Sequence, residues 1–241
     1  MKILQLNAWG GKLGAQIVSL LQREQADMVC LQEVIRFPGG RSFLFEDIDS
    51  IAADTGYKYS YFSEHIGYPL MKRTAQTGLM ILSKYPFAST NTIPLRLQYT
   101  KDFDLIDSDY NVQTLQHASV VVGEKTYNIL NYHGYHIREH KNGSPETLRQ
   151  CELIASYLSK LPEPVILCGD FNLSPDSESI AIIERLLQNH TAQAKVSSTR
   201  THLTRKTEAC DFIFSSKSIT HPTFIVLDDV VSDHKVLSLE I

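Results

Sequence analysis

The chain has 241 residues, 43% of them hydrophobic and 21% charged, with a formal net charge of −4. Such a chain can bury a sizeable core and is not disordered; its negative balance argues against a broad nucleic-acid clamp while leaving room for local basic loops. No apolar run approaches the roughly 20 residues of a membrane-spanning helix, and the N-terminus turns polar too early for a signal peptide, so the expected location is cytoplasmic.

Residues 3–6 read as a first strand, ended by Asn7-Ala8-Trp9-Gly10-Gly11. Leu13, Ile17, Leu20 and Leu21 then recur at helical spacing. A second strand, 28–31, ends at Gln32-Glu33-Val34, and Phe43-Leu44, Ile48 and Ile51-Ala52 suggest a helix stopped by Gly56. Residues 57–63 alternate like a half-buried strand, 67–77 read as a loop carrying Lys72 and Arg73, and 78–83 form a strand turned by Lys84-Tyr85-Pro86. The segment 95–111 has no clear period and reads as a flexible loop. Residues 120–122 and 127–130 flank a four-residue connection in a hairpin pattern that ends at Asn131-Tyr132-His133-Gly134.

A polar loop, 133–144, leads to a helix with Ser144 as its N-cap and Pro145 in its first turn. Val165-Ile166-Leu167 reads as a buried strand running into Cys168-Gly169-Asp170-Phe171-Asn172, where the glycine allows a sharp turn. Ser174-Pro175-Asp176 then caps a helix containing Ile180, Ile183 and Leu186-Leu187. Residues 199–204 read as short, polar and exposed; 210–214, 223–227 and 236–241 are the last strands. Short strands interspersed with helices, without a repeat or linker, point to one α/β domain over 1–241. Cys30, Cys151, Cys168 and Cys210 form no C-x-x-C pair and read as structural thiols in apolar runs.

Polar residues recur where apolar runs end: Asn7, Glu33, His133, Asp170 and Asn172 follow such runs, Asp211 begins one, and Asp233-His234 precedes the last. That repetition suggests strands converging on one rim. Singly each has a bland reading. Asn7 serves equally to cap a turn, Asp170 and Asn172 to make side-chain-to-backbone turn bonds, and Glu33 or His234 to sit in solvent.

The ordered set Leu6-Asn7, Leu31-Gln32-Glu33-Val34, 78–83 with Pro86, Asn131-Tyr132-His133, Gly169-Asp170-Phe171-Asn172, Asp211-Phe212-Ile213-Phe214 and Ser232-Asp233-His234 resembles the endonuclease/exonuclease/phosphatase (DNase I-like) superfamily over essentially the whole chain. The resemblance implies a four-layer α/β sandwich, two packed and mostly antiparallel sheets flanked by helices. It also implies metal-assisted phosphoester hydrolysis, most readily of a phosphodiester at nucleic acid ends or in single strands. A small phosphorylated metabolite or lipid headgroup is the alternative substrate, and a non-catalytic binding module the contrasting class. No protein partner is readable.

By the same resemblance Glu33, with Asn7 beside it and Asp233 nearby, would hold Mg²⁺ or Mn²⁺, ions that suit hard oxygen donors. Asp170 would activate the attacking water, Asn172 would hold a phosphate oxygen, and His133 would contact the phosphate. His234 would stabilise the phosphorane, with Asp211 or Asp233 accepting its imidazole N–H. Arg200 is a fork donor suited to phosphate, with a surface arginine as the equal alternative. Trp9 stands where DNA-repair members often carry an acid, and would stack on a base or sugar or pack beneath the metal. His133, His136 and His140 also space as H-x2-H-x3-H, a weaker zinc reading on a glycine-flanked loop. His136, Arg138, His140 and Lys141 read as a solvated loop or a substrate entrance.

Overall fold

The computed structural model describes residues 1–39, 44–97 and 111–241. In chain order the elements are β1 (Lys2–Asn7), a 3₁₀ turn (Trp9–Gly11), α1 (Gly14–Glu24), β2 (Met28–Arg36), α2 (Ile48–Thr55), β3 (Tyr59–Leu70), β4 (Arg73–Ser83), β5 (Phe87–Arg96), β6 (Gln113–Val122) and β7 (Lys125–His133). They continue as α3 (Pro145–Leu158), β8 (Val165–Asp170), α4 (Glu178–Glu184), β9 (Leu187–Asn189), α5 (His190–Gln193), β10 (Asp211–Ser216), β11 (Thr223–Val226) and β12 (Leu237–Glu240).

The strands form two six-stranded sheets, ordered β11-β12-β1-β2-β4-β3 and β5-β6-β7-β8-β10-β9. Each has one parallel pair at its centre, β1 with β2 and β7 with β8, and every other pair is antiparallel. A parallel pair needs a crossover long enough to return the chain to the same end. Helix α1 makes that return in the first sheet and α3 in the second.

Three apolar layers follow from strand alternation. Leu4, Leu6, Val29 and Leu31 face outward onto Ile17, Leu20 and Ile51 of α1 and α2. Leu130, Val165, Leu167 and Phe214 face outward onto Cys151, Ile154, Ile180 and Ile183 of α3 and α4. Between the sheets lie Ile3, Met28, Cys30, Ile129, Ile166, Cys168, Ile213 and Leu239. Each fully buried Ile or Leu contributes about 1.5–3 kcal/mol. The result is the expected four-layer sandwich. All four cysteines are free and buried. Among the described residues no helix is long and apolar enough to cross a membrane.

Several local expectations are corrected. Residues 67–77 are not a loop: β3 runs to Leu70, β4 starts at Arg73, and Met71 and Lys72 make the turn with positive φ. The β6–β7 connection is two residues, Gly123 and Glu124, because Val122 already pairs with Lys125. Ser177, not 174–176, caps α4 through Ile180 N, and Leu187 belongs to a strand. Gly169 does not turn: β8 continues to Asp170, and the glycine is required because a Cβ there would lie 2.1 Å from the Tyr132 carbonyl oxygen. Ser144 caps α3 as expected, in a reciprocal pair with Thr147. Of the segment 95–111, Leu95 and Arg96 end β5, while 98–110 lie outside the described residues, as does Phe43.

Candidate active site

The inward-facing rows change chemistry along their length. At one end they are apolar. Midway they carry amides, which bond in series across both sheets. Asn131 Nδ2 donates to Gln116 Oε1 (3.1 Å), Gln32 Nε2 to Asn131 Oδ1 (2.7 Å), and Gln5 Nε2 to Gln32 Oε1 (2.9 Å) and Asp211 Oδ1 (3.1 Å). All four amide residues are fully buried, so each bond is held in a low-dielectric interior where an unpaired amide is costly. Beyond this belt the rows end in polar residues: Glu33, His133 and Asp170 line a cavity of about 980 Å³, and Asn7 and Asp211 are fully buried beside them.

Simple alternation places Gln32 inward and Glu33 outward. A β-bulge between Leu31 and Val34, with Glu33 at φ +50°, breaks the register of β2 against β4 and turns Glu33 toward the cavity as well. Bulges re-aim side chains in this way, and a non-glycine residue at positive φ is a strain that the surrounding structure must hold. Asn172 (φ +56°) and Trp9 (φ +50°) share that backbone conformation.

Asn7 bridges the two nearest carboxylates: its Nδ2 donates to Glu33 Oε1 (2.9 Å) and Asp170 Oδ2 (3.1 Å). Its oxygen accepts from Trp9 N at 3.0 Å, and a backbone N–H can only donate, which fixes the amide's orientation. Asn7 therefore turns nitrogen, not an oxygen ligand, toward Glu33. Asp170 Oδ1 accepts from Asn172 N (2.9 Å), and its Oδ2 lies 3.6 Å from His234 Nε2 and 3.8 Å from His133 Nε2. Burial alone would raise the Asp170 pKa, but His234, Arg200 and His133 together hold it well below the usual carboxylate range.

His234 is paired with Asp211, whose oxygens lie 2.9 and 3.0 Å from Nδ1; Asp233 lies 4.0 Å from Nε2. Asp211 is fully buried and also accepts from Thr199 Oγ1 (2.5 Å) and Gln5 Nε2. Burial opposes the imidazolium, yet Asp211 and Asp170 outweigh it and raise the His234 pKa to about 9, even against Arg200. Ser232 ties the Asp233-His234 segment to β1 by donating to Asn7 O at 2.6 Å.

Residues 199–201 are buried, contrary to the exposed segment expected. An isolated β-bridge joins Arg200 to His234, and the guanidinium lies against His234 Nε2, Cys210 Sγ (3.0 Å) and, at 4.0 Å, Asp233. Asn172 Oδ1 accepts from Lys141 Nζ at 2.7 Å, and its Nδ2 faces His133 Nε2 at 3.2 Å. Lys141 is thus a buried support of the site, not a solvated side chain. Trp9 is half-buried, lines the cavity and stacks under Lys12.

Sequence reasoning missed Gln5 and His65, and named Thr199 and Ser232 within motifs without giving them a role. His65 is a buried histidine on the cavity wall, bonded to Thr114, with its pKa pushed down to about 3 by burial and by His133. For Thr199 the signal was its place beside Arg200; for Gln5 it was a polar residue inside an apolar strand.

Glu33, His133 and Asp170 can bring three ligand atoms within 4.8 Å of one another, and Asp170, Asp211 and His234 form a second such group. The first fits a hard divalent cation: it offers two carboxylates, and Glu33 is partly open to solvent. The second is closed around the His234–Asp211 pair. Among the described residues His136 and His140 join no metal-ligating group with His133, so the zinc spacing finds no geometric support.

The sandwich fold, with carboxylates, amides and imidazoles gathered at one end of both sheets, defines a phosphoester-hydrolase type of architecture. The sequence profile of the endonuclease/exonuclease/phosphatase family matches residues 4–234, and the chain belongs to that family. Among solved structures it resembles an endonuclease/exonuclease/phosphatase from Beutenbergia cavernae, with TM-score 0.72 and 17% identity over 99% of this chain and 70% of that one. It also resembles the human Nocturnin catalytic domain with a bound sulfate anion, with TM-score 0.71 and 16% identity over 99% and 92%. A mannosyl-6-phosphatase from Bacteroides thetaiotaomicron is similar at TM-score 0.65 and 13% identity over 100% and 98%. No curated protein matches by sequence.

Proposed function

We propose that the chain is a divalent-metal-dependent phosphoesterase that hydrolyses a phosphodiester by in-line attack of water. The observation that carries this reading is the position of Asp170. It is a buried carboxylate held ionised, within 4 Å of two imidazoles and bridged through Asn7 to Glu33. Such a group orients a water and accepts its proton. His234, held as a cation by Asp211, stabilises charge that develops on the phosphoryl oxygens. Asn172, held by Lys141 and facing His133, lies close enough to Asp170 to contact the same group.

Glu33, with Asp170 and His133 near it, would hold Mg²⁺ or Mn²⁺. Bound there, the ion supplies Lewis acidity toward a phosphate oxygen. Asp233 belongs to the outer rim of this acidic end.

A cavity of about 980 Å³ is at the upper end of small-molecule pockets. It suits a nucleic acid end or single strand, or, as the second reading, a small phosphorylated metabolite. The test is hydrolysis of single- and double-stranded DNA, RNA, a nucleotide diester, a phosphoinositide and sphingomyelin, each with Mg²⁺, Mn²⁺ or EDTA. Cleavage of one class that is abolished by EDTA and by Asp170→Asn is expected. Turnover that survives Asp170→Asn would overturn the assignment.

A further inference from the structure

The buried amide belt has a direction, and backbone carbonyls set it. Gln116 Nε2 donates to Tyr61 O (2.7 Å), and Asn131 Nδ2 donates to Leu31 O (3.0 Å) and Met80 O (3.2 Å). A carbonyl oxygen only accepts, so in both residues the partner identifies the nitrogen. Asn131 must then offer its oxygen to Gln32 Nε2, and Gln32 its oxygen to Gln5 Nε2. Gln5 is left with one orientation. Its NH₂ faces Gln32 Oε1 and Asp211 Oδ1 together; turned over, its oxygen would meet two acceptors.

That orientation leaves Gln5 Oε1 unsatisfied. Gln5 is fully buried on the inward row of β1, between Ile3 and Asn7, and its oxygen has no hydrogen-bond partner among the described residues. An unpaired buried acceptor is destabilising, and an apolar side chain would avoid it. What the orientation supplies lies at Asp211. That carboxylate accepts Gln5 Nε2 on Oδ1 (3.1 Å) and Thr199 Oγ1 on Oδ2 (2.5 Å), and His234 Nδ1 lies 3.0 and 2.9 Å from the same two oxygens. Donors on both sides stop the carboxylate from turning, so the imidazole that bonds to it is held with Nε2 toward Asp170.

We propose that Gln5 is a positioning residue of the active site: the amide belt delivers an N–H of set direction to Asp211 and, through Asp211, fixes the orientation of the His234 ring. Gln5 itself does not line the cavity. Gln32 belongs to the same device, since removing its oxygen leaves the Gln5 amide free to turn. The effect on turnover rests on the phosphoesterase reading; the effect on the ring does not.

The experiment observes the His234 Nδ1 proton by NMR, in protein labelled with ¹⁵N-histidine, in EDTA at one neutral pH. A short, charge-assisted N–H···O bond deshields its proton, and burial slows exchange with water. Loss of the resonance in His234→Gln assigns it. In Gln5→Met it is expected to move upfield or to exchange away. Gln32→Met, which removes a group bonded to neither Asp211 nor His234, is expected to act in the same direction, and carries the test alone if Gln5→Met does not fold. Leu4→Ala, which opens a cavity on the helix-facing side of β1, is expected to leave the resonance in place. With a phosphoester substrate and Mg²⁺ or Mn²⁺, Gln5→Met is expected to lower kcat by roughly ten-fold while KM changes by less than about two-fold. A resonance absent from the wild-type protein, unmoved in the folded glutamine variants, or moved equally by Leu4→Ala would each overturn the proposal, as would an unchanged kcat. If the resonance responds as expected but the wild-type protein cleaves no phosphoester, the phosphoesterase reading fails and the positioning role stands.

Discussion

Asp211→Asn keeps the side chain's shape and an acceptor for Gln5 or His234, and removes the charge that holds His234 as a cation. The wild-type imidazole is buried, with its pKa raised from 6.5 to about 9. At 1.36 kcal/mol per pKa unit, that gap corresponds to roughly 3 kcal/mol. Asp170 still faces the ring in the variant, so the expected loss is about 2 kcal/mol. The folded pKa lies above the unfolded one. The contribution is therefore complete below pH 6.5, declines as pH rises, and is gone above about 9. Urea unfolding of both proteins in EDTA, at about pH 6 and about pH 10, measures it. The difference in unfolding free energy is expected to be about 2 kcal/mol at the lower pH and to shrink toward zero at the higher. The same difference at both pH values would refute the reasoning, because a purely steric defect does not titrate.

Other perturbations test neighbouring links. Asp170→Asn is expected to lower kcat by roughly 10²–10⁴ with an unchanged circular dichroism spectrum, because it removes the proposed base and keeps its outline. Glu33→Ala is expected to shift the Mg²⁺ dependence of activity to higher concentrations; identical titrations would remove Glu33 from the metal site. Gln32→Met leaves Gln5 and Asn131 without their shared partner and is expected to cost about 1–3 kcal/mol, read by denaturant unfolding. Gly169→Ala pushes a methyl group into the Tyr132 carbonyl; it is expected to cost more than about 1–3 kcal/mol or to prevent folding, judged by soluble yield and thermal melting.

The central strands were legible because both of their faces are buried. Val165-Ile166-Leu167 is apolar throughout, since Ile166 enters the inter-sheet core while its neighbours meet the helices. The rim residues were legible for the same reason: an acid or amide ending such a run stands out. Strand β5 was not legible, because it is an edge strand, mostly exposed, with Pro94 within it, and nothing in its pattern separates it from a polar loop. The β3–β4 hairpin extends past its apolar part, so its outer half read as a connection. Glu33 reached the cavity only through a bulge, which period-two reasoning does not contain. Arg200 and Lys141 looked solvent-exposed because charge is a surface signal; their burial depends on Asp233, His234 and Asn172, which are distant in the chain. The choice between Asp211 and Asp233 as partner of His234 likewise needed coordinates, and the distances of 2.9 and 4.0 Å favour Asp211.

The central claim is that water, oriented by Asp170, attacks phosphorus. The most direct measurement is hydrolysis of the best substrate in ¹⁸O-labelled water with Mg²⁺, followed by mass spectrometry of both products. The account predicts one labelled oxygen on the phosphoryl product, none on the alcohol, and no turnover with EDTA or in Asp170→Asn. Label on the alcohol, or turnover that ignores EDTA and the substitution, would contradict it.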